Sequence, residues 1–213
     1  MKYESYIFDL DGTLLDTLGD LAASCNYALS GCGMPEHGID DIRRFVGNGV
    51  RLLMERAVPG GAANPRFEEA YRTFRQHYML HSLDTTAPYG GILETLDALN
   101  TNGKHVAVVS NKFHEATRAL VAHFFGDRVK VAIGESPSIR KKPAPDTVDE
   151  ALRQLGMPRS TAVYIGDSDV DIETARNCGM PCISVLWGFR DKDFLTRHGA
   201  TTFVETPRQI LDI

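Results

Sequence analysis

Between residues 88 and 186 the chain alternates short apolar runs with helix-like stretches, and this alternation limits the possible architecture more than any other feature. The runs 106–109, 129–133, 162–165 and 182–186 carry mostly Val, Ile and Ala, while helical patterns are predicted over 92–100, 114–125, 147–155 and 172–177. Strands separated by helices at this spacing predict parallel βαβ units and a sheet covered on both faces. A further apolar run, 6–8, stands alone near the start and is assigned to the same sheet. From 14 to 86 there is no convincing strand. Leu18, Leu21, Ala22, Cys25 and Leu29 mark one face of a helix, and helical patterns follow over 42–45, 51–57 and 67–83. The expected fold class is α/β, a parallel sheet interrupted by an all-helical insert. The expected domains are residues 1–14 with 87–213 as the core, and 15–86 as a helical cap.

Composition narrows the function classes. The 213 residues are 43% hydrophobic and 24% charged, an ordinary globular balance. A formal net charge of −5 without a basic stripe argues against a nucleic-acid partner. No apolar run approaches the roughly 18 residues of a membrane span, and residues 1–5 lack signal-peptide character, so the expected location is cytoplasmic without membrane association. Cys25, Cys32, Cys178 and Cys182 form no C-x-x-C pair and are expected to be reduced, mostly buried thiols.

Parallel sheets of this kind bind ligands at the carboxyl ends of their strands, so the residues found there matter most. The first run is followed by Asp9-Leu10-Asp11-Gly12-Thr13, two carboxylates two positions apart before a glycine. The second ends in Ser110-Asn111. Lys142 precedes Pro143-Ala144-Pro145, where two prolines restrict the backbone ahead of a helix. The 162–165 run leads into Gly166-Asp167-Ser168-Asp169-Val170-Asp171. That acidic stretch is not a calcium-binding EF-hand loop, because Ile172 stands where the loop's Gly belongs and Cys178 where its Glu belongs.

These four motifs, in this order, resemble those of the haloacid dehalogenase superfamily phosphatases, and the resemblance spans nearly the whole chain. Within that superfamily the chain is most similar to the phosphoglycolate phosphatase-like group, partly through Val46-Gly47-Asn48-Gly49 in the insert. The resemblance implies a Rossmann-like core and Mg²⁺-dependent hydrolysis of a small phosphorylated metabolite. It makes Asp9 the nucleophile and Asp11 the general acid and base. Lys142 and Ser110 stabilise the transferring phosphoryl group, with Asn111 as a further phosphate contact. The implied metal residues are Asp9, Asp11 (through its carbonyl), Asp167 and Asp171, the last placed behind the direct ligands.

Charge repulsion supports the cation. Two unit charges about 4 Å apart repel by about 4 kcal/mol at an effective dielectric of ~20, so a cluster of carboxylates needs a hard divalent ion before it admits phosphate. An acidic residue at position 11 also separates phosphate-ester relatives from those that cleave carbon–halogen bonds, where no leaving oxygen needs a proton. Gly47, Asn48, Gly49 and Arg51 are the expected substrate contacts in the cap. The alternatives left open are a β-phosphoglucomutase-like mutase, a pyrophosphatase and a 5′-nucleotidase. A phosphate-receiver signalling domain fits less well, since it lacks a helical insert and carries its phosphorylated Asp on a later strand. A monomer and a homodimer are equally compatible with the sequence.

Overall fold

The computed structural model describes all 213 residues, Met1–Ile213. The first half contains β1 (Ser5–Phe8), β2 (Leu15–Asp16), α1 (Leu18–Gly31), α2 (Ile39–Phe45), α3 (Val50–Ala57), α4 (Phe67–His81) and β3 (Ala87–Pro88). The second half contains α5 (Ile92–Thr101), β4 (His105–Phe113), α6 (His114–Phe124), β5 (Val131–Glu135), α7 (Asp146–Leu155) and β6 (Ala162–Gly166). It closes with α8 (Asp169–Cys178), β7 (Cys182–Val185), α9 (Lys192–Arg197) and β8 (Phe203–Val204). The chain forms two compact units, one made of Met1–Asp16 with Pro88–Ile213, the other of Thr17–Ala87.

In the first unit, six parallel strands form one sheet in the order β5-β4-β1-β6-β7-β8. The two-residue period of each strand divides its side chains between two apolar layers. Tyr6, Phe8, Val106, Val108, Val163 and Ile165 pack with Leu96 of α5 and Leu120 of α6. Ile7, Ala107, Val109 and Tyr164 pack on the opposite face with Val148 and Leu152 of α7 and Ala175 of α8. Burying both faces explains why the strands read as continuous apolar runs rather than as alternating ones. β1 lies between β4 and β6, with Phe8 opposite both Val108 and Ile165. From β1 the chain runs outward through β4 to β5, then crosses back to β6 on the other side of β1, so the first acidic motif sits at the topological switch point.

Several elements differ from their predicted spans. β4 does not stop at residue 109 but continues through Ser110 and Asn111 to Phe113. Its pairing with β5 shifts on the way: Val109 faces Ile133 and Phe113 faces Glu135, so three residues of β4 span one residue of β5. α8 begins at Asp169 rather than near 172, because Ser168 and Asp171 cap its first turn. β2 is a two-residue strand inside a stretch predicted to have none; so short a run shows no alternation. α9 and β8 were not predicted, for the same reason of length.

The second unit packs α1 to α4 around Leu21, Cys25, Leu29, Ile42, Leu53, Met54, Phe67, Phe74 and Tyr78, all buried. Asp20, in the first turn of α1, is also buried and holds the unit's last residues. Its Oδ1 accepts from the Thr85 N–H at 2.9 Å and hydroxyl at 2.5 Å, and its Oδ2 from the Thr86 N–H at 3.0 Å and hydroxyl at 2.7 Å. Truncation to Ala strands four donors, and a buried donor left without a partner costs about 1–3 kcal/mol. Asp20→Ala is expected to destabilise this unit by about 3 kcal/mol. Hydrogen exchange should then show the Thr85 and Thr86 amides losing protection; unchanged protection would refute the clasp.

Candidate active site

Each strand of the central trio contributes at its carboxyl end. The Asp9 N–H donates to the Ile165 carbonyl at 2.9 Å, which extends the β1–β6 pairing by one residue and fixes where the Asp9 carboxylate starts. The chain then turns tightly, with the N–H groups of Leu14 and Leu15 both donating to the Leu10 carbonyl. The Leu10 N–H donates back to Asp9 Oδ1 at 2.7 Å.

Lys142 Nζ is the centre of the buried network. It lies 2.8 Å from Asp9 Oδ1, 2.8 Å from Asp171 Oδ1 and 3.0 Å from the Tyr164 hydroxyl, which uses all three ammonium hydrogens. The Tyr164 hydroxyl in turn donates to Asp171 Oδ1 at 3.0 Å. Asp171 Oδ2 accepts from the Ser168 N–H at 3.1 Å and the Ser168 hydroxyl at 2.6 Å. Asp171 therefore receives four hydrogen bonds, and its geometry is that of a group orienting Lys142.

Asn111 acts on the backbone of the same lysine. Its amide donates to the Lys142 carbonyl at 3.0 Å, and the Lys142 N–H donates to Asn111 Oδ1 at 2.8 Å. The expected phosphate contact is thus, through its side chain, an anchor for Lys142. Ser110 Oγ accepts from the Lys112 N–H at 3.2 Å. Asp167 accepts from the Thr13 hydroxyl at 3.2 Å and from the Phe189 N–H at 2.7 Å. Asp11 forms an ion pair with Lys112, Nζ to Oδ1, at 3.0 Å.

One carboxylate oxygen from each of Asp9, Asp167 and Asp171 lies within 4.8 Å of the others, and all three residues are buried. Three carboxylates against one ammonium leave an excess of negative charge. Burial, and then the charge of Asp171, push the Asp9 carboxyl well above its ordinary range despite Lys142. The same two causes push Asp167 to about 7. Burial by itself would lower the Lys142 ammonium, but Asp171 and Asp9 raise it overall, so it stays charged. An all-oxygen donor set with surplus charge fits a hard divalent cation.

The pKa displacement has a measurable consequence. Asp167 titrates near 7 when folded and near 3.9 when unfolded, so the metal-free folded state binds more protons between those values. Its stability should therefore fall as pH rises from about 4 to about 7. Because cation binding needs the ionised carboxylates, Mg²⁺ should raise the melting temperature more at pH 8 than at pH 5.5. Thermal unfolding in EDTA and in Mg²⁺ at both pH values checks this, and a larger shift at pH 5.5 would contradict it.

Four residues to which the sequence assigns no role support the site. Tyr164, Thr13 and Phe189 each supply a hydrogen bond described above, and Lys112 supplies the charge beside Asp11. Thr13 belongs to the Asp9–Thr13 motif and Lys112 directly follows Ser110-Asn111, whereas Tyr164 and Phe189 carry no such local mark.

In the helical unit, the predicted contacts are engaged within the unit itself. Asn48 Oδ1 accepts from Arg56 at 2.8 Å, between Gly47 and Gly49, which have φ of 122° and 93°. Arg51 pairs with Glu68 at 2.5 Å and Glu55 at 3.4 Å, and its guanidinium stands over the rings of Phe67 and Tyr71.

Comparison with known proteins gives concordant matches. A model of the family described as haloacid dehalogenase-like hydrolase matches residues 6–185. A phosphoglycolate phosphatase of Aquifex aeolicus is 34% identical over 185 residues, spanning 86% of this chain and 84% of the relative. An N-acetylmuramic acid 6-phosphate phosphatase of Pseudomonas aeruginosa is 30% identical over 215 residues, spanning 100% of this chain and 95% of the relative. A crystal structure from Lactobacillus delbrueckii subsp. bulgaricus, of a protein provisionally named phosphoglycolate phosphatase, superimposes with a TM-score of 0.94 at 39% identity. It covers 99% of this chain and 97% of that one.

Proposed function

The chain belongs to the haloacid dehalogenase-like hydrolase family and is a phosphatase of that family; on that premise we propose that it hydrolyses a small phosphomonoester through an aspartyl-phosphate on Asp9, with Mg²⁺ as cofactor. The observation carrying this reading is the Lys142 ammonium held 2.8 Å from Asp9 within a buried carboxylate cluster. A carboxylate fixed beside a permanent cation is placed to meet an anionic phosphoryl group, which an isolated carboxylate repels.

The side chains of Asp9 and Asp167, with the Asp11 carbonyl, would hold Mg²⁺, whose charge when bound offsets the repulsion between Asp9 and the phosphate. Asp9 attacks phosphorus, an O–P bond to its carboxylate forms, and the bond to the ester oxygen breaks. Asp11 gives that leaving oxygen a proton, then takes one from the water that releases phosphate and regenerates Asp9. Lys142 offsets charge on the transferring group, and Ser110 donates its hydroxyl hydrogen to a phosphoryl oxygen. Backbone N–H groups of Leu10, Asp11 and Asn111 are assigned as further donors. Asp171 and Asn111, through their side chains, keep Lys142 in place.

In this reading Met1–Asp16 with Pro88–Ile213 is the hydrolase core, and Thr17–Ala87 selects the leaving group through Gly47, Asn48, Gly49 and Arg51. Phosphoglycolate is the first substrate to test, since it is the one named for the Aquifex relative. A sugar 6-phosphate is the second, because the relative named for one is matched along 95% of its length. Phosphate release from both, and from p-nitrophenyl phosphate, in Mg²⁺ and in EDTA, tests the proposal. Turnover that persists in EDTA would remove the cofactor assignment, and isomerised product without free phosphate would make the protein a mutase. Arg51→Ala is expected to raise KM about 10-fold for a carboxylated substrate and leave p-nitrophenyl phosphate unaffected; an unchanged KM would take Arg51 out of the site.

A further inference from the structure

We propose that Lys112 is a positioning residue that holds Asp11 for proton transfer, an inference that rests on the phosphatase reading above. The Lys112 side chain is 1% exposed, and its ammonium lies 3.0 Å from Oδ1 of Asp11. Burying an ammonium is unfavourable unless it is paired, so a lysine at this depth calls for a reason. Lys142 already serves Asp9 and Asp171. Asp11 thus has a separate cation of its own.

The backbone is shaped to deliver that cation. Ser110, Asn111 and Lys112 stand opposite Gly134 alone, so β4 outruns β5 by two residues here. Such a bulge re-aims the side chains it carries. The Lys112 N–H is tied to Ser110 Oγ at 3.2 Å, and the Lys112 carbonyl accepts from the Thr117 hydroxyl at 3.4 Å. A Cβ on Gly134 would lie 2.7 Å from that carbonyl and 2.5 Å from the His114 Cα, so the bulge packs where no other side chain fits. One bulge therefore sets both the Ser110 hydroxyl and the Lys112 ammonium.

Asp11 has to give a proton to the leaving oxygen and later take one from water, keeping one side-chain orientation throughout. An ammonium donating to Oδ1 provides this, and the transferred proton is carried on Oδ2. Lys112 touches neither the phosphoryl group nor the leaving group in this scheme; it acts through Asp11.

Leaving-group chemistry separates this role from a structural one. p-Nitrophenolate departs without a proton, whereas an alkoxide needs one. Lys112→Met is expected to lower kcat for an alkyl phosphate about 10²-fold, within the range for loss of acid–base catalysis, and to leave KM nearly unchanged. With p-nitrophenyl phosphate it should give a burst of p-nitrophenolate followed by slow turnover, because Asp9 is still phosphorylated but water is poorly activated. In an Asp11→Asn background, Lys112→Met should add no further loss.

Lys112→Gln, which keeps a donor without the charge, repeats the test if the Met variant does not fold. Equal losses on both substrates without a burst, additivity with Asp11→Asn, or parental turnover would each overturn the proposal while leaving the phosphatase reading standing. Parental turnover in Asp11→Asn itself would remove that reading and this proposal together.

Discussion

Asp9→Asn is expected to lower phosphate release by about 10⁴-fold or more, the scale seen when a covalent nucleophile is removed. Asn is close in shape to Asp, so the Leu10 N–H at 2.7 Å and Lys142 at 2.8 Å keep an oxygen to bond. What disappears is the negative charge that attacks phosphorus. Stability should move the other way. Burial and Asp171 raise the Asp9 carboxyl well above its ordinary range, which means that the ionised form destabilises the metal-free fold. Removing the charge relieves this, while Lys142 keeps Asp171 at 2.8 Å. The variant should therefore melt, in EDTA, at or above the parent temperature. Phosphate assays paired with thermal unfolding give both readings. A parental rate would end the nucleophile assignment, and a fall of several degrees in EDTA would make Asp9 a structural residue.

Gly188→Ala should disable the site without replacing any proposed catalytic or metal-holding residue. A Cβ at position 188 would sit 2.3 Å from Asp167 Cβ and 2.5 Å from the Gly12 carbonyl oxygen. Neither is the far end of a flexible side chain, so Asp167 or the loop carrying Asp11 has to shift. Asp167 is also bound by the neighbouring Phe189 N–H at 2.7 Å, and that bond moves with the loop. Overpacking of this kind costs about 1–3 kcal/mol, and displacing a support of a metal ligand costs about 10–100-fold in affinity. The expected result is a loss of roughly 3 kcal/mol and a weakening of Mg²⁺ binding by about 30-fold. Gly31→Ala is the control, since nothing lies within 4 Å of a Cβ there; its change should stay within about 0.5 kcal/mol. Parental Mg²⁺ affinity in Gly188→Ala would show that the loop yields without disturbing Asp167.

Both variants probe features that differ in how visible they are in the sequence. Asp9 is conspicuous because it follows an apolar run and precedes Asp11-Gly12-Thr13. Gly188 carries no such mark; its importance comes from Asp167, 21 positions earlier, being pressed against it. Tyr164 is similar. Along the chain it is one more large residue in a buried strand, and only the placing of Lys142 beside it makes its hydroxyl part of the site. The sequence marks the backbone N–H of Asn111 as a phosphate donor but says nothing of its side chain, which grips the backbone of Lys142.

The sequence by itself determined the α/β class, the helical insert and the strand ends that carry carboxylates, because backbone periodicity and local turn chemistry are properties of neighbouring residues. Tertiary structure alone decided the strand order with β1 between β4 and β6, the bulge that turns Lys112 toward Asp11, and the convergence of Asp9, Lys142, Tyr164, Asp167 and Asp171. Those depend on which distant segments meet once both faces of the sheet are buried, and contacts across more than a hundred residues leave no periodic trace along the chain.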